Sequence, residues 1–200
     1  MAGHVDRAER RSRILRAAVR VFARDGVAAS RVEDVAAEAG VAKGSVYLYF
    51  SGRDALLEAA FEAYAERARE GLRAARTGPG DPVDRLDALI EDALRLAVDD
   101  GDLVRTMMEM PASGHRGGPV PPGAAGLYAE YRRTVAGLLA EGRSLGRVRP
   151  CDVDRAATVL VGAVEGCLIQ WIADPRVPVQ DLAGTITGMW WTGLAAEGSR

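Results

Sequence analysis

Lys43-Gly-Ser45 concentrates donor chemistry in three residues, and Lys43 is the single lysine beside 25 arginines in the 200-residue chain. An ammonium donates to guanine O6/N7 or to a phosphate oxygen. A hydroxyl bonds to either, and a glycine lets the backbone come close. An outward-facing Leu48 would suit a thymine methyl, whereas Tyr49 and Phe50 are expected to pack inward. Such groups read nucleic acid only if something aims them. The frame Val35-Ala36-x₃-Gly40-Val41-x₄-Val46 has the spacing of a helix-turn-helix. Ala36 is small where two helices cross, Gly40 permits the positive φ of a tight turn, and Val35, Val41 and Val46 fill the shared core. In that frame Lys43, Gly44 and Ser45 open the second helix, the end that approaches base edges. Ser30, Arg31 and Arg53 become phosphate contacts that position rather than specify.

The surrounding segments supply the frame. Apolar residues recur at helical spacing almost throughout, and no stretch alternates as a strand. Ile14, Ala18, Val21 and Phe22 stripe a first helix that Gly26 ends. Ser30-Arg-Val-Glu33 has the form of a capping box for the next helix, and Ser51 with Asp54 offers a start for a long one. That helix, about Asp54–Arg76, would be ~35 Å long at 1.5 Å per residue, enough to act as a lever. Thr77-Gly-Pro-Gly-Asp-Pro82 stops it. Further helical segments follow at about 83–99, 102–110, 124–142, 153–173 and 179–195, with Pro111–Gly126 a Gly/Pro-rich loop. The expected fold is all-α with about nine helices.

Composition excludes several classes. Hydrophobic residues make up 48% and charged residues 27%, which argues for a packed core and against disorder. Cys151 and Cys167 lack metal-knuckle spacing and fit a reducing cytoplasm. The charged start is not a signal peptide. The uncharged runs Ala156–Val164 and Leu182–Ala196 are shorter than the ~20 residues a bilayer span needs, so they read as buried helices and no membrane partner is expected. Ser113 lies near His115, but no oriented acid accompanies them, so an enzyme is not expected; neither is a cofactor or a metal. The formal net charge of −2 divides unevenly: residues 1–53 hold 10 basic against 6 acidic side chains, and the remainder holds 16 against 22. A basic front and an acidic body describe two modules.

Residues 14–56 resemble the DNA-binding domain of TetR-family (tetracycline-repressor-like) transcriptional regulators. The resemblance rests on Ile14, Ala17-Ala18, Phe22, Gly26, Asp34-Val35-Ala36, Ala39-Gly40-Val41, Lys43-Gly44-Ser45-Val46-Tyr47, Tyr49-Phe50 and Asp54-x-Leu56. Arg53 stands where the pattern usually has Lys, Arg31 where a second Thr is common, and Ala42 where Ser often caps the recognition helix. The resemblance implies a three-helix helix-turn-helix DNA-binding domain over 1–53, preceded by a short flexible basic tail. A helical ligand-binding and dimerisation domain over 54–200 follows. It also implies that Tyr47 places its hydroxyl on a phosphate. For Arg7, Arg10, Arg11 and Arg13 two readings stay open, a solvated face or contact with the DNA backbone.

In the second module Gly162-x₃-Gly166 and Gly184-x₃-Gly188 set glycines on single helix faces. Each costs roughly 1 kcal/mol relative to alanine in a helix interior, so a close approach is expected in compensation. With Trp190 and its apolar neighbours these residues suggest a four-helix homodimer interface, as the resemblance also implies. The partner would then be a roughly palindromic double-stranded operator. Met107, Met108, Met110, Tyr128, Tyr131, Leu138 and Trp171, with Gln170 or Glu165 as a polar guide, are candidate walls for a small-molecule effector of unknown identity. The expected function is a cytoplasmic repressor released by an apolar or amphipathic effector. The alternative is a helical protein-binding or scaffold module with no DNA target.

Overall fold

The computed structural model describes residues 2–109 and 124–194, all of its regular structure helical. Nine α-helices occur among these residues, and packing gathers them into two units. The first unit takes the described residues through Ala65 together with those from Asp100 to Glu109. It begins with α1, Ala2–Asp25. Ile14, Ala17, Ala18, Val21 and Phe22 are buried at i, i+3, i+4, i+7 and i+8, the stripe of a helix with one face in a core. Gly26 stops α1 at φ +78°, its N–H bonded to Phe22 O at 2.9 Å. The chain returns as α2, Val32–Ala39, which buries Val32, Val35, Ala36 and Ala39.

Gly40 then turns the chain. It sits in the left-handed region (φ 63°, ψ 41°). Its N–H bonds to Ala37 O at 3.1 Å, and Val41 N–H bonds to Ala36 O at 3.0 Å. This pair of bonds is the Schellman closure of a helix C-terminus. It delivers α3, Lys43–Tyr47. The long α4, Arg53–Thr77, follows and sinks Leu56 and Ala60 into the same core. Leu103 of α6, Gly101–Glu109, joins them.

The second unit comprises the part of α4 from Glu66, α5 (Pro82–Asp99), α7 (Ala124–Ser144), α8 (Val153–Ala173), a 3₁₀ turn at Val179–Asp181 and α9 (Leu182–Leu194). Leu72, Leu86, Leu94, Leu139 and Leu160 form its fully buried centre. Polar ties fasten α4 within it. Arg69 Nε donates to Glu130 Oε1 at 3.3 Å and Arg76 Nη1 to Thr134 Oγ1 at 3.1 Å, both on α7. From α5, Arg85 donates to the carbonyls of Ala75 and Arg76, which the last turn of α4 leaves without helical partners.

Three expectations change. Packing divides the chain inside α4, after Ala65, not at 53/54, because Leu56 and Ala60 belong to the first core. The segment before Arg7, expected as a flexible tail, is the start of α1. Finally, α8 is not buried within the chain. Its most apolar 18-residue window has a mean hydropathy of 1.6, yet only 11% of it is buried. By length and composition alone α8 would pass for a membrane span, although it carries Asp154, Arg155 and Glu165. The Pro111–Gly126 loop, with Ser113 and His115, lies outside the described residues except that 124–126 already belong to α7.

Two substitutions test this packing. Phe22→Ala, at a side chain 1% exposed, is expected to cost about 3–5 kcal/mol, read as a lower urea midpoint. Gly40→Ala is expected to cost about 1–2 kcal/mol from backbone strain alone, since a Cβ there would meet nothing within 4 Å. An unchanged midpoint would contradict the left-handed turn.

Candidate nucleic-acid interface

The five residues of α3 are oriented by one side chain: Val46 is fully buried. Phe50, 5% exposed, continues the anchor below it, with its N–H bonded to Val46 O at 3.0 Å. Because the inward face is fixed, the remainder faces water. Lys43 and Gly44 are exposed, Ser45 is half-buried, and Tyr47 and Leu48 stand 48% and 76% exposed. Ala42, as N-cap, offers no side-chain bond to the first amides of α3. Tyr49 is half-buried and Phe50 buried against the core, turned inward as expected.

Residues around α3 are more engaged than the sequence suggests. Lys43 Nζ forms an ion pair with Glu33 of α2 and lies 5.9 Å from the centroid of the Tyr47 ring. The hydrogen bond between them holds the Glu33 carboxyl below its ordinary range and the Lys43 ammonium above its own. Glu38, also on α2, accepts from Arg20 Nε at 2.7 Å and from Arg24 Nη1 at 3.5 Å, and the Arg20 bond is the main cause of its lowered pKa. Arg7 and Arg11, one turn apart on α1, place their guanidinium groups 5.8 Å and 5.1 Å from the Tyr49 and Phe50 ring centroids. These are cation–π contacts that pin the start of α1 to the chain following α3. Their i, i+4 spacing was the available sequence signal.

The cap of α2 differs from expectation by one residue. Arg31, not Ser30, is the N-cap, and its N–H donates to Asp34 Oδ2 at 3.1 Å. Ser30 is 5% exposed and its hydroxyl donates to Gly26 O at 2.7 Å, closing the α1–α2 connection. Its donor is therefore committed inward rather than offered to a phosphate, and Glu33 is left to pair with Lys43. Arg31 is exposed. Arg53 spends two donors internally, Nη1 on Ala28 O at 2.9 Å and Nε on Asp54 at 3.4 Å. At the start of α4, Gly52 O accepts the N–H of Leu56 at 3.1 Å.

The effector candidates belong to both units. Met107 packs against the core of the first unit, one turn beyond Leu103, and Met108 is 41% exposed on the same helix. Met110 lies outside the described residues. In the second unit the Tyr128 hydroxyl donates to Glu165 Oε1 at 2.9 Å. Gln170 is exposed and Trp171 half-buried. Tyr131 lines a cavity of about 350 Å³ between α4 and α5, together with Arg67, Glu70, Leu89, Asp92 and Leu96.

The dimer candidates fare differently. Gly162, Gly184 and Gly188 are exposed and Gly166 is half-buried, and a Cβ on any of them would meet nothing within 4 Å. The close approach expected of them does not occur among the described residues. Val159, Ile169 and Met189 are 61%, 49% and 75% exposed on the same two helices. Trp190 is half-buried with its indole N–H enclosed. Trp191 donates to Asp87 Oδ1 at 2.8 Å, and burial holds that carboxyl above its ordinary range.

Two family models match the chain. That of bacterial regulatory proteins of the tetR family covers residues 14–60, and that of the C-terminal part of BetI-type transcriptional repressors covers residues 82–187. The fatty acid metabolism regulator protein of Bacillus subtilis (strain 168) is 25% identical over 188 residues, spanning 90% of this chain and 93% of that protein. YerO, an uncharacterized HTH-type transcriptional regulator of the same organism, is 41% identical over 56 residues, only 28% of this chain and 19% of its own length. Among solved structures, SmeT in complex with triclosan superposes with a TM-score of 0.81 at 22% identity, covering 96% of this chain and 94% of that one. SmeT is the repressor of a Stenotrophomonas maltophilia multidrug efflux pump. The chain belongs to the tetR family of bacterial regulatory proteins, as a DNA-binding transcriptional regulator rather than an enzyme.

Proposed function

We propose that the chain is a cytoplasmic repressor that binds a palindromic operator as a homodimer and leaves it when a small apolar or amphipathic effector binds. The observation that carries the DNA reading is Leu48, 76% exposed beside Lys43 on a helix whose inner side is anchored by Val46. Such a side chain gains from a partner with a methyl group, and the thymine methyl in the major groove is one. Lys43 donates to guanine or phosphate, Gly44 admits the backbone, Ser45 bonds to base or phosphate, and the Tyr47 hydroxyl takes a phosphate. Arg31 and the unspent donors of Arg53 add phosphate contacts.

A second copy is the cover proposed for α8 and α9. The open face carries Val159, Ile169 and Met189 beside Gly162, Gly166, Gly184 and Gly188. Glycines without neighbours allow two helices of a partner to come close, and an isologous four-helix contact closes on itself. Trp190 belongs to the same helix. The effector class follows from relatives whose names concern fatty acid metabolism and a triclosan complex. The Tyr128–Glu165 pair and the Tyr131 cavity are the proposed polar guide and wall. Because α4 contributes residues to both units, a shift of this helix is the proposed link between effector and operator.

Mobility shifts on DNA upstream of the protein's own gene, at two salt concentrations, test the reading. Binding should weaken steeply with salt as counterions are released. Lys43→Ala should cost about 1–3 kcal/mol at one base position if it reads guanine, or weaken all sequences alike and lower the salt slope by about 1 if it holds phosphate. Failure to bind any duplex at low salt would leave the scaffold alternative. Met189→Glu should shift sedimentation from dimer to monomer and reduce operator affinity with it. A dimer that survives this change places the interface elsewhere. Operator affinity unaffected by every ligand shown to bind the second unit would exclude effector release.

A further inference from the structure

Lys43, the side chain best suited to read a base, is held by an acid of its own domain. Glu33 sits in the first turn of α2 and Lys43 is the first residue of α3, so the ion pair bridges the two helices across the Gly40 turn. Both side chains are about half exposed, 53% for Lys43 and 52% for Glu33, so DNA can reach the pair. The other acids of α2 are engaged elsewhere. Asp34 accepts from the Arg31 N–H, and Glu38 accepts from Arg20 and Arg24 of α1. Glu33 is the acid of α2 paired to the recognition helix.

Resting on the reading of α3 as the DNA-contacting helix, we propose that Glu33 is a specificity-determining residue: it occupies Lys43 so that only a well-placed acceptor on the right sequence displaces it. On unselected DNA the ammonium can only exchange one anionic partner, the Glu33 carboxylate, for another, a phosphate. The exchange gains little. At a matching guanine, O6 and N7 accept together, and a directed bond replaces the pair. Glu33 therefore weakens binding to random DNA more than binding to the operator.

The test compares the full-length protein with Glu33→Gln, Lys43→Ala and the double variant. Each is checked by thermal melting and titrated by anisotropy against a random-sequence duplex and against a duplex that the unsubstituted protein enriches from a random pool. Glu33→Gln is expected to bind the random duplex about two- to five-fold more tightly, the worth of an exposed ion pair. Its salt slope should steepen by about 0.9, one more phosphate neutralised. The enriched duplex should gain less, so the specificity ratio falls. In the Lys43→Ala background the Glu33→Gln gain should vanish. A gain that persists there would show general repulsion and overturn the proposal, as would no gain at all. If Lys43→Ala alone matches the unsubstituted protein on both duplexes, or if no sequence is enriched, the DNA reading of α3 fails and the gate with it.

Discussion

The burial of Val46 is the contact on which the outward face of the first unit depends. A helix of five residues is too short to hold itself in water, so α3 exists because its single core residue is gripped by others. Val46 enters a core shared by distant parts of the sequence, to which the stripe of α1, Val35 and Ala36 of α2, Leu56 and Ala60 of α4, and Leu103 of α6 belong. The inner face leaves one rotational setting for α3. Lys43, Tyr47 and Leu48 face solvent as a consequence of that setting, and so does the pairing of Lys43 with Glu33.

The second unit inverts this arrangement. Its polar contacts are internal fasteners, with Arg69, Arg76 and Arg85 tying the end of α4 to α5 and α7, while much of the apolar surface of α8 and α9 is left outside. Exposed aliphatic side chains beside glycines are costly in water and in helix propensity together. Each cost falls when another apolar surface comes close, which is the physical reason for proposing a second copy as the cover.

Helix positions were legible because periodicity is a local property. The stripe Ile14–Ala18–Val21–Phe22 and the stops at Gly26 and Gly40 depend on neighbours within a few turns. The choice between nested caps was not legible. Ser30-x-x-Glu33 and Arg31-x-x-Asp34 overlap by one step, and tertiary packing decides: Val32 must enter the core, and Ser30 closes onto Gly26 O. Met107, one turn after Leu103, packs against the first core, a contact that tertiary packing decides and spacing does not. The charge split at residue 53 and the packing division after Ala65 are separate partitions, since Arg53 marks where basic residues thin out and Leu56 marks where the core continues. The Lys43–Glu33 pair was invisible because it depends on how two helices face each other across a turn.

The Trp191–Asp87 bond has a practical corollary. The chain's three tryptophans, Trp171, Trp190 and Trp191, all belong to the second unit, and the first has none. Trp191 has its indole N–H on a half-buried carboxyl of α5, and Trp190 has its own enclosed. Tryptophan emission, excited apart from that of Tyr47 and Tyr49, therefore reports on the second unit alone. Any change in that emission on adding DNA must have travelled between the units, which makes the unlabelled protein a direct optical probe of their communication.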